Sequence, residues 1–201
     1  MDLTEAIVFL KKSDPVIGAL FGTVTPSVVR PHRRYFQSLA QAIIGQQLSG
    51  KAATTIINRF KALFPETKFP TPAQVLAKSD DELRAAGLSG SKVSYIKNIA
   101  RAIEDKSLDF RRINKMADEE IITMLTAVKG IGRWTAEMFL IFSLGRPDVF
   151  SFGDLGLRNA VKKLYGLRQD PTLKQLKKLS ARWQPHRTTA SLHLWASLDN
   201  R

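Results

Sequence analysis

A glycine-containing loop between two cationic residues is the first place where this sequence could do chemistry. The helical spacing of apolar residues stops near residue 127 and resumes near residue 133, so the short segment between them must form a tight hairpin. We expect Gly130 and Gly132 to adopt backbone angles closed to other residues and to leave room for a ligand. With Lys129 and Arg133 beside the amides that begin the next helix, this hairpin is suited to holding a phosphate. The alternative is a plain glycine-bent connection, because an isolated Gly-x-Gly is a weak signal.

The overall charge indicates a polyanionic partner. The chain of 201 residues has 31 Lys and Arg against 18 Asp and Glu, a formal net charge of +13. Nucleic acid fits better than a membrane, because no apolar run approaches the roughly 20 residues that span a bilayer, and we expect no secretory leader. The sequence has no cysteine, which excludes disulfides and cysteine-ligated iron–sulfur clusters, and its three scattered histidines argue against a histidine metal site.

Apolar residues recur at helical spacing almost throughout the chain, and no alternating strand pattern competes. Ser13-Asp14-Pro15 and Thr71-Pro72 predict helix caps followed by proline, and residues 79–82 predict a capping box. Longer helices are predicted at roughly residues 92–105, 117–127, 133–144, 155–165, 172–182 and 187–198, in a total of about ten. The pattern predicts an all-α fold. Two lobes would require the chain to cross between them, because no linker or internal repeat is evident.

Four ordered segments resemble one protein family. Residues 128–136 resemble the hairpin of the helix-hairpin-helix DNA glycosylase superfamily, and residues 46–53 (QQLSGKAA) resemble a segment of its alkylbase branch, the 3-methyladenine DNA glycosylase II family. Residues 148–160 resemble the stretch that carries the family's catalytic aspartate, and residues 182–195 resemble its closing W-x-P-x-R and H-x-W element. The resemblance implies a single glycosylase unit over residues 1–201, with two helical lobes, the hairpin at about 125–137, the active cleft between the lobes and no extra N-terminal domain.

Asp154 is the candidate catalytic residue. Cleaving a purine from deoxyribose passes through an oxocarbenium-like sugar, which a carboxylate beside the anomeric carbon stabilises. Asp154 also stands directly before a predicted helix, where aspartate is an ordinary N-cap, so capping is the alternative from the residues alone. The resemblance implies that Asp154 stabilises the developing cation, activates or orients water, or does both. The preceding Ser151-Phe152-Gly153 departs from the family's usual Pro-Ala or acidic residue.

Trp134 and Trp195 are the candidate base pocket. Bifunctional members of the superfamily carry a nucleophilic lysine where this chain has Trp134, so the resemblance implies hydrolysis without lyase activity. By family position, Trp195 is predicted to stack on an extruded base, whereas Trp183 is predicted to pack between helices. A purine alkylated at N3 or N7 carries positive charge, which an aromatic pocket favours through cation–π contact.

The segment containing Gln47, Leu48, Ser49 and Lys51 is the candidate turn that enters DNA. We expect the helix through Ile43 to stop near Leu48 and another helix to start after Ser49. Extruding a nucleotide leaves a gap that a side chain must fill, and Leu48 or Ser49 would be that wedge. The alternative is a helix-capping Ser49 with Leu48 in the core.

These features predict a monofunctional DNA glycosylase that hydrolyses the N-glycosidic bond of alkylated purines, of the 3-methyladenine and 7-methylguanine type, in base excision repair. One alternative is a non-catalytic homologue that binds abasic or distorted DNA, and another is a basic helical regulator. We expect no cofactor, although the resemblance implies a Na⁺ or K⁺ ion held by the carbonyls of Thr126, Val128 and Ile131. The expected partner is duplex DNA with alkylated or abasic sites, bound by an intracellular monomer without membrane association.

Overall fold

The computed structural model describes residues 3–199, which are predominantly helical. The α-helices are α1 (Leu3–Ser13), α2 (Pro15–Gly18), α3 (Tyr35–Gly45), α4 (Gly50–Ala62), α5 (Pro72–Ala77), α6 (Asp80–Ala85), α7 (Gly90–Glu104), α8 (Asp118–Thr126), α9 (Arg133–Phe139), α10 (Leu155–Leu164), α11 (Leu173–Ser180) and α12 (Arg187–Asp199). Two short 3₁₀ turns occupy Ile113–Lys115 and Ala181–Trp183, and Leu140–Leu144 is π-helical. Within residues 3–199 the extended pairing amounts to an isolated bridge between Phe21 and Val24, so the all-α prediction is confirmed.

The chain folds into two compact units. The terminal unit combines the described residues up to Pro31 with those from Leu140 onward, and so contains α1, α2 and α10 to α12. The central unit is His32–Phe139 and contains α3 to α9. The terminal unit is therefore assembled from two segments that lie far apart in the sequence.

Several predicted helix starts are confirmed. Asp14 caps α2 with Pro15 as its first residue, and Thr71 caps α5 in the same way. Ser79 and Glu82 form the predicted reciprocal capping box at α6. Residues 3–199 contain twelve α-helices rather than about ten. Several of them, such as α2 and α5, are too short to show an apolar repeat.

The segment predicted as one helix over about 133–144 changes its winding. The α-helical hydrogen bonding of α9 ends at Phe139, and Leu140–Leu144 continues as a π-helical turn. Gly145 follows this turn with φ +67°, and a Cβ atom there would lie only 2.5 Å from the Cγ of Pro31. Apolar spacing could not reveal this change, because five residues are too few to distinguish a π-helical period from an α-helical one.

A buried carboxylate, that of Asp14, accepts three hydrogen bonds in the core of the terminal unit. Asp14 is 1% exposed, and it accepts hydrogen bonds from the Tyr165 hydroxyl at 2.6 Å, the Trp183 indole at 3.1 Å and the Val16 amide at 3.2 Å. Burial, reinforced by Asp14, raises the pKa of Tyr165 far above its usual range, so the hydroxyl remains a donor. Trp183 is fully buried, with its ring 5.4 Å from that of Phe150. Its predicted packing role is confirmed.

Helix α7 is the packing centre of the central unit. It contacts α3, α5 and α6. Its buried side chains are Val93, Ile96, Lys97, Ile99, Ala100 and Ala102. Lys97 forms a short ion pair with Asp80 at the start of α6. Because α7 contacts several helices, its side chains can fix the loops of this unit relative to one another.

We predict that Asp14→Ala lowers the free energy of unfolding by about 3 kcal/mol, because it leaves the Tyr165 hydroxyl and the Trp183 indole without their buried acceptor. Chemical denaturation followed by tryptophan fluorescence measures this change. The control is Asp170→Ala, which removes an exposed 2.8 Å pair with Lys162 and should cost less than about 1 kcal/mol. Equal effects of the two substitutions would contradict the role given to Asp14.

Candidate functional site

Asp154 lies at the N-terminus of α10 and is both a cap and the centre of a small hydrogen-bond network. Its Oδ1 accepts the Leu157 amide at 2.7 Å and the Trp195 indole N–H at 2.9 Å. The residue is 8% exposed. The capping alternative is therefore correct as a description of the local structure, but the bond from Trp195, 41 residues later, goes beyond capping. Two donors from different helices fix the orientation of this carboxylate.

Gly156 makes this arrangement sterically feasible. A Cβ atom at Gly156 would lie 3.1 Å from Asp154 Oδ1 and 3.2 Å from two atoms of the Trp195 ring, Cδ1 and Nε1. Those distances are tighter than ordinary contacts, so any larger residue would push the ring or the carboxylate aside. No motif in the sequence marks Gly156 as part of the site. The available signal was a glycine in the first turn of a helix, where it weakens the helix unless packing requires it.

The ring of Trp195 also stacks on Phe142, a residue that sequence analysis missed. Their ring centroids are 5.9 Å apart with an interplanar angle of 28°. Phe142 belongs to the π-helical turn and is 39% exposed, so part of its ring is available for further contact. His193, two residues before Trp195, is instead buried, with Nδ1 2.8 Å from the Thr189 carbonyl oxygen, and burial lowers its pKa. The aromatic surface here is therefore Trp195 with Phe142.

The hairpin between α8 and α9 is held by α7. Gly130 has φ +112°, and a Cβ atom there would lie 2.4 Å from Cγ of Tyr95, whose ring packs directly against it. The Asn98 side chain donates to the Lys129 carbonyl oxygen at 3.2 Å. The prediction of a special backbone angle is confirmed for Gly130. At Gly132 the expectation is wrong, because its φ is not positive.

Gly132 contributes open space instead of an unusual backbone angle. A Cβ atom at this position would meet no atom within 4 Å, and the residue is exposed. The approach to the amides that begin α9 is therefore clear of side-chain atoms at this point. Gly130 thus allows the Tyr95 ring to pack against the hairpin, whereas Gly132 leaves the first amides of α9 accessible.

The two cations of the hairpin differ in their surroundings. The Arg133 guanidinium pairs with Glu119 at 2.5 Å and with the buried Glu137 at 2.9 Å. The hydrogen bond to Glu119 raises the pKa of Arg133, and the pKa of Glu119 is lowered in return. Lys129 is exposed at the tip of the hairpin. Because Arg133 is already paired with two carboxylates, Lys129 supplies the more accessible positive charge.

The turn between α3 and α4 starts earlier than predicted. Helix α3 ends at Gly45, three residues before Leu48, and Gln47 adopts φ +58°, which is uncommon for a residue other than glycine. Ser49 caps α4 by accepting the Ala52 amide at 3.3 Å. Leu48 is 36% exposed, so the alternative that places it in the core is wrong. Lys51, in the first turn of α4, is exposed.

This turn lies beside Trp134, which is 44% exposed. Together they line a cavity of about 510 Å³ formed by Ala42, Gly45, Gln46, Gln47, Leu48 and Trp134. The structure therefore brings together a candidate wedge residue and a candidate pocket residue within the central unit. In the terminal unit it brings together Asp154 and Trp195.

Lys92, which sequence analysis also missed, secures the start of this turn. Its ammonium donates to the carbonyl oxygens of Ile44 and Gln46, both at 2.8 Å. Burial lowers the pKa of Lys92. These acceptors belong to the C-terminus of α3, where backbone carbonyls lack helical partners and a positive charge is favourable.

Neither a resident metal cluster nor a membrane span emerges from residues 3–199. No group of three or more His, Asp or Glu side chains in that range could hold a metal ion. No helix in the same range is long and apolar enough to cross a bilayer.

This chain matches one protein family and several known proteins over most of its length. The HhH-GPD superfamily of base excision DNA repair proteins matches residues 40–186. DNA-3-methyladenine glycosylase 1 of Schizosaccharomyces pombe is 38% identical over 177 residues, which cover 88% of this chain and 78% of that protein. The alkylbase DNA glycosidase-like protein mag2 of the same yeast is 33% identical over 198 residues, which cover 96% and 93%.

A solved structure agrees with the sequence comparisons. The S. pombe 3-methyladenine DNA glycosylase in complex with abasic DNA superposes with a TM-score of 0.86 at 35% identity, over 97% of each chain. The fold and the relatives together define a DNA repair enzyme of the helix-hairpin-helix class. The chain belongs to the HhH-GPD superfamily of base excision DNA repair proteins. The resemblance on which the sequence analysis relied is thereby confirmed.

We predict that Gly130→Ala destabilises the protein by about 2–4 kcal/mol, because it combines a strained backbone with a clash against the Tyr95 ring. The matched control is Gly132→Ala, which should change stability by less than about 1 kcal/mol, since the space around Gly132 is open. Thermal and urea unfolding of the two variants measure the difference. Similar stabilities would show that the Tyr95 contact does not hold the hairpin.

Proposed function

We propose that this protein is a monofunctional DNA glycosylase that removes alkylated purines, of the 3-methyladenine and 7-methylguanine type, from duplex DNA by hydrolysis. The observation that carries the proposal is the Asp154 carboxylate, held by the Leu157 amide and the Trp195 indole beside an aromatic surface. The names of the relatives, which include 3-methyladenine glycosylases, support this substrate class.

Asp154 would act on the sugar. As the bond between C1′ and the base nitrogen breaks, the bonding electrons leave with the base and positive charge develops on the deoxyribose. A fixed carboxylate stabilises that charge without having to reorganise, and it can orient a water molecule whose oxygen bonds to C1′. Loss of a proton from that water completes the abasic sugar.

Trp195 and Phe142 would bind the base. A purine methylated at N3 or N7 is cationic, so aromatic faces attract it more strongly than they attract a neutral purine. The same positive charge makes the base a good leaving group, which reduces the need for a general acid. The aromatic surface and the single carboxylate of the terminal unit therefore suit the same class of substrate.

Trp134 is the reason to expect hydrolysis alone. A lyase needs an amine that attacks C1′ and forms a Schiff base, and an indole cannot do so. Trp134 is exposed and borders the turn that contains Leu48, which supports a contact with DNA near an extruded nucleotide. We therefore propose an abasic site as the product, with the DNA strand left intact.

The central unit would hold the DNA. Lys129 and the hairpin amides after Gly130 would bind a backbone phosphate without reading a base, and Lys51 would add a second contact. Arg133 would support the hairpin through its carboxylate pairs as much as it would bind phosphate. Leu48 is the better wedge, because it is partly exposed and apolar, whereas the Ser49 hydroxyl is engaged in capping. Gln47, beside it, would line the gap.

A monovalent cation at the hairpin stays part of the proposal. The carbonyls of Thr126, Val128 and Ile131 would be its ligands. The Val128 oxygen accepts the Ile131 amide at 3.0 Å and retains a second lone pair for an ion. Such an ion would strengthen phosphate binding, and no step of the reaction depends on it.

We propose that the protein acts as a monomer wherever the cell keeps its DNA.

We predict that Asp154→Asn reduces the release of 3-methyladenine and 7-methylguanine from alkylated duplex DNA by about 100-fold or more, because asparagine retains the cap but not the charge. Chromatography of the released bases measures this change, and gel analysis before alkali measures strand breaks, which should be absent. Asp170→Asn, on the surface of the same unit, should retain full activity.

Three other outcomes of that experiment would contradict the proposal in different ways. Release by the Asp154→Asn protein at the wild-type rate would refute the role of the carboxylate. A wild-type protein that releases no base but still binds abasic duplex would be a non-catalytic lesion-binding homologue. Strand breaks before alkali would show lyase activity and contradict the interpretation of Trp134.

We also predict that Lys129→Met weakens binding to duplex DNA regardless of sequence and reduces the slope of log affinity against log salt concentration by about 1, because one phosphate contact is lost. Fluorescence anisotropy at several salt concentrations measures the slope. The control is Lys68→Met, which removes an exposed lysine in the loop before α5. Arg133→Met is a poorer probe, since it also removes an ion pair from the buried Glu137. An unchanged slope for Lys129→Met would exclude Lys129 from phosphate binding.

A further inference from the structure

One helix of the central unit contacts both of its candidate DNA-binding elements. Along α7, Lys92 reaches the turn between α3 and α4, and Tyr95 and Asn98 reach the hairpin. These three residues follow one another at intervals of three, so they lie along one side of the helix. The turn and the hairpin are therefore attached to the same rigid element.

The turn between α3 and α4 is attached to α7 through two hydrogen bonds from the Lys92 ammonium. Lys92 bonds to carbonyl oxygens on both sides of Gly45, the last residue of α3, and each bond is 2.8 Å long. The chain then passes through Gln47 at φ +58°, a conformation that residues other than glycine hold only when their surroundings impose it. Further support within the turn comes from the Leu48 amide, which donates to the Gly45 carbonyl at 3.1 Å. Lys92 thus supplies a charged contact from outside the turn at the point where the chain must change direction.

We propose that Lys92 is a positioning residue for nucleotide extrusion, which keeps Leu48 in a fixed relation to the phosphate-binding hairpin. This inference rests on the proposed function of the turn and the hairpin. Without the ammonium, the α3 C-terminus loses its external donor and Leu48 no longer has a single position. The hairpin, held separately by Tyr95 and Asn98, keeps its structure. Loss of Lys92 therefore impairs unstacking of the DNA more than binding to its backbone.

A second lysine on the same helix is a matched control. Lys97 pairs with Asp80 at the start of α6 and contacts neither the turn nor the hairpin through that bond. Lys97→Met and Lys92→Met each remove one ammonium from α7 and keep the apolar stem. A general loss of stability affects both variants, whereas a positioning role affects only Lys92→Met.

The experiment compares wild type, Lys92→Met, Lys92→Arg and Lys97→Met in single-turnover release of 3-methyladenine. One duplex pairs the lesion with thymine, and a second places it opposite an abasic analogue, where no base pair has to open. We expect Lys92→Met to be roughly tenfold slower on the paired lesion and close to wild type on the unpaired lesion. Lys92→Arg, which retains a charged donor, and Lys97→Met should stay within about twofold of wild type. Equal rates for Lys92→Met and Lys97→Met, or an equal loss on both duplexes, would overturn the inference.

A measurement independent of catalysis separates this inference from the proposed function. A duplex with 2-aminopurine beside an abasic analogue becomes more fluorescent when neighbouring bases unstack. Wild type and Lys97→Met should produce a larger increase than Lys92→Met at saturating protein, even if no protein releases a base. Equal increases would overturn the positioning role. If Lys92→Met does not fold, Lys92→Gln, which is too short to reach both carbonyls, takes its place in both assays.

Discussion

The hydrogen bond from the Trp195 indole to Asp154 joins the candidate catalytic carboxylate to the candidate base-binding ring of the terminal unit. It joins the N-terminus of α10 to the middle of α12, and Gly156 leaves room for it, because a Cβ atom there would crowd both the ring and the carboxylate. The same ring stacks on Phe142 at the π-helical turn. These two contacts orient the carboxylate relative to the aromatic rings and connect α10 to α12.

The central unit solves a different physical problem, which is to hold two exposed loops firmly. Exposed backbone without packing is mobile. In the central unit, side chains of α7 hydrogen-bond to both loops. The Tyr95 ring fills the space at Gly130, Asn98 bonds to the Lys129 carbonyl, and Lys92 bonds to the end of α3. The candidate DNA-binding side chains Leu48, Lys129 and Trp134 are exposed above this packing.

Electrostatics divides the cations of this protein into two groups. The net charge of +13 suggests that any Lys or Arg near the hairpin could bind phosphate. The structure shows that Arg133 and Lys97 are paired with carboxylates, and that the ammonium of Lys92 is directed at backbone carbonyls. Lys129 and Lys51 are exposed. Composition measures total charge, whereas binding depends on the charge that neighbouring groups leave accessible.

The sequence by itself determined the helical class, most helix starts and the family. These properties depend on local spacing, capping residues and short motifs, all of which are contained in a few consecutive residues. It also located Asp154 and the hairpin. It was wrong about the backbone angle of Gly132, about a single helix over 133–144 and about the end of α3. A weak local pattern such as Gly-x-Gly does not specify a backbone angle, and apolar spacing does not mark a helix end to within a few residues.

Only the tertiary structure decided which residues support the site. Gly156, Phe142, Tyr95 and Lys92 carry no motif that marks them, because their roles arise from neighbours distant in sequence. Trp195 lies 41 residues from Asp154, and Lys92 lies 48 from Ile44, yet each pair shares a hydrogen bond. A linear pattern records which groups are present. The distances and directions between them exist only after the helices have packed.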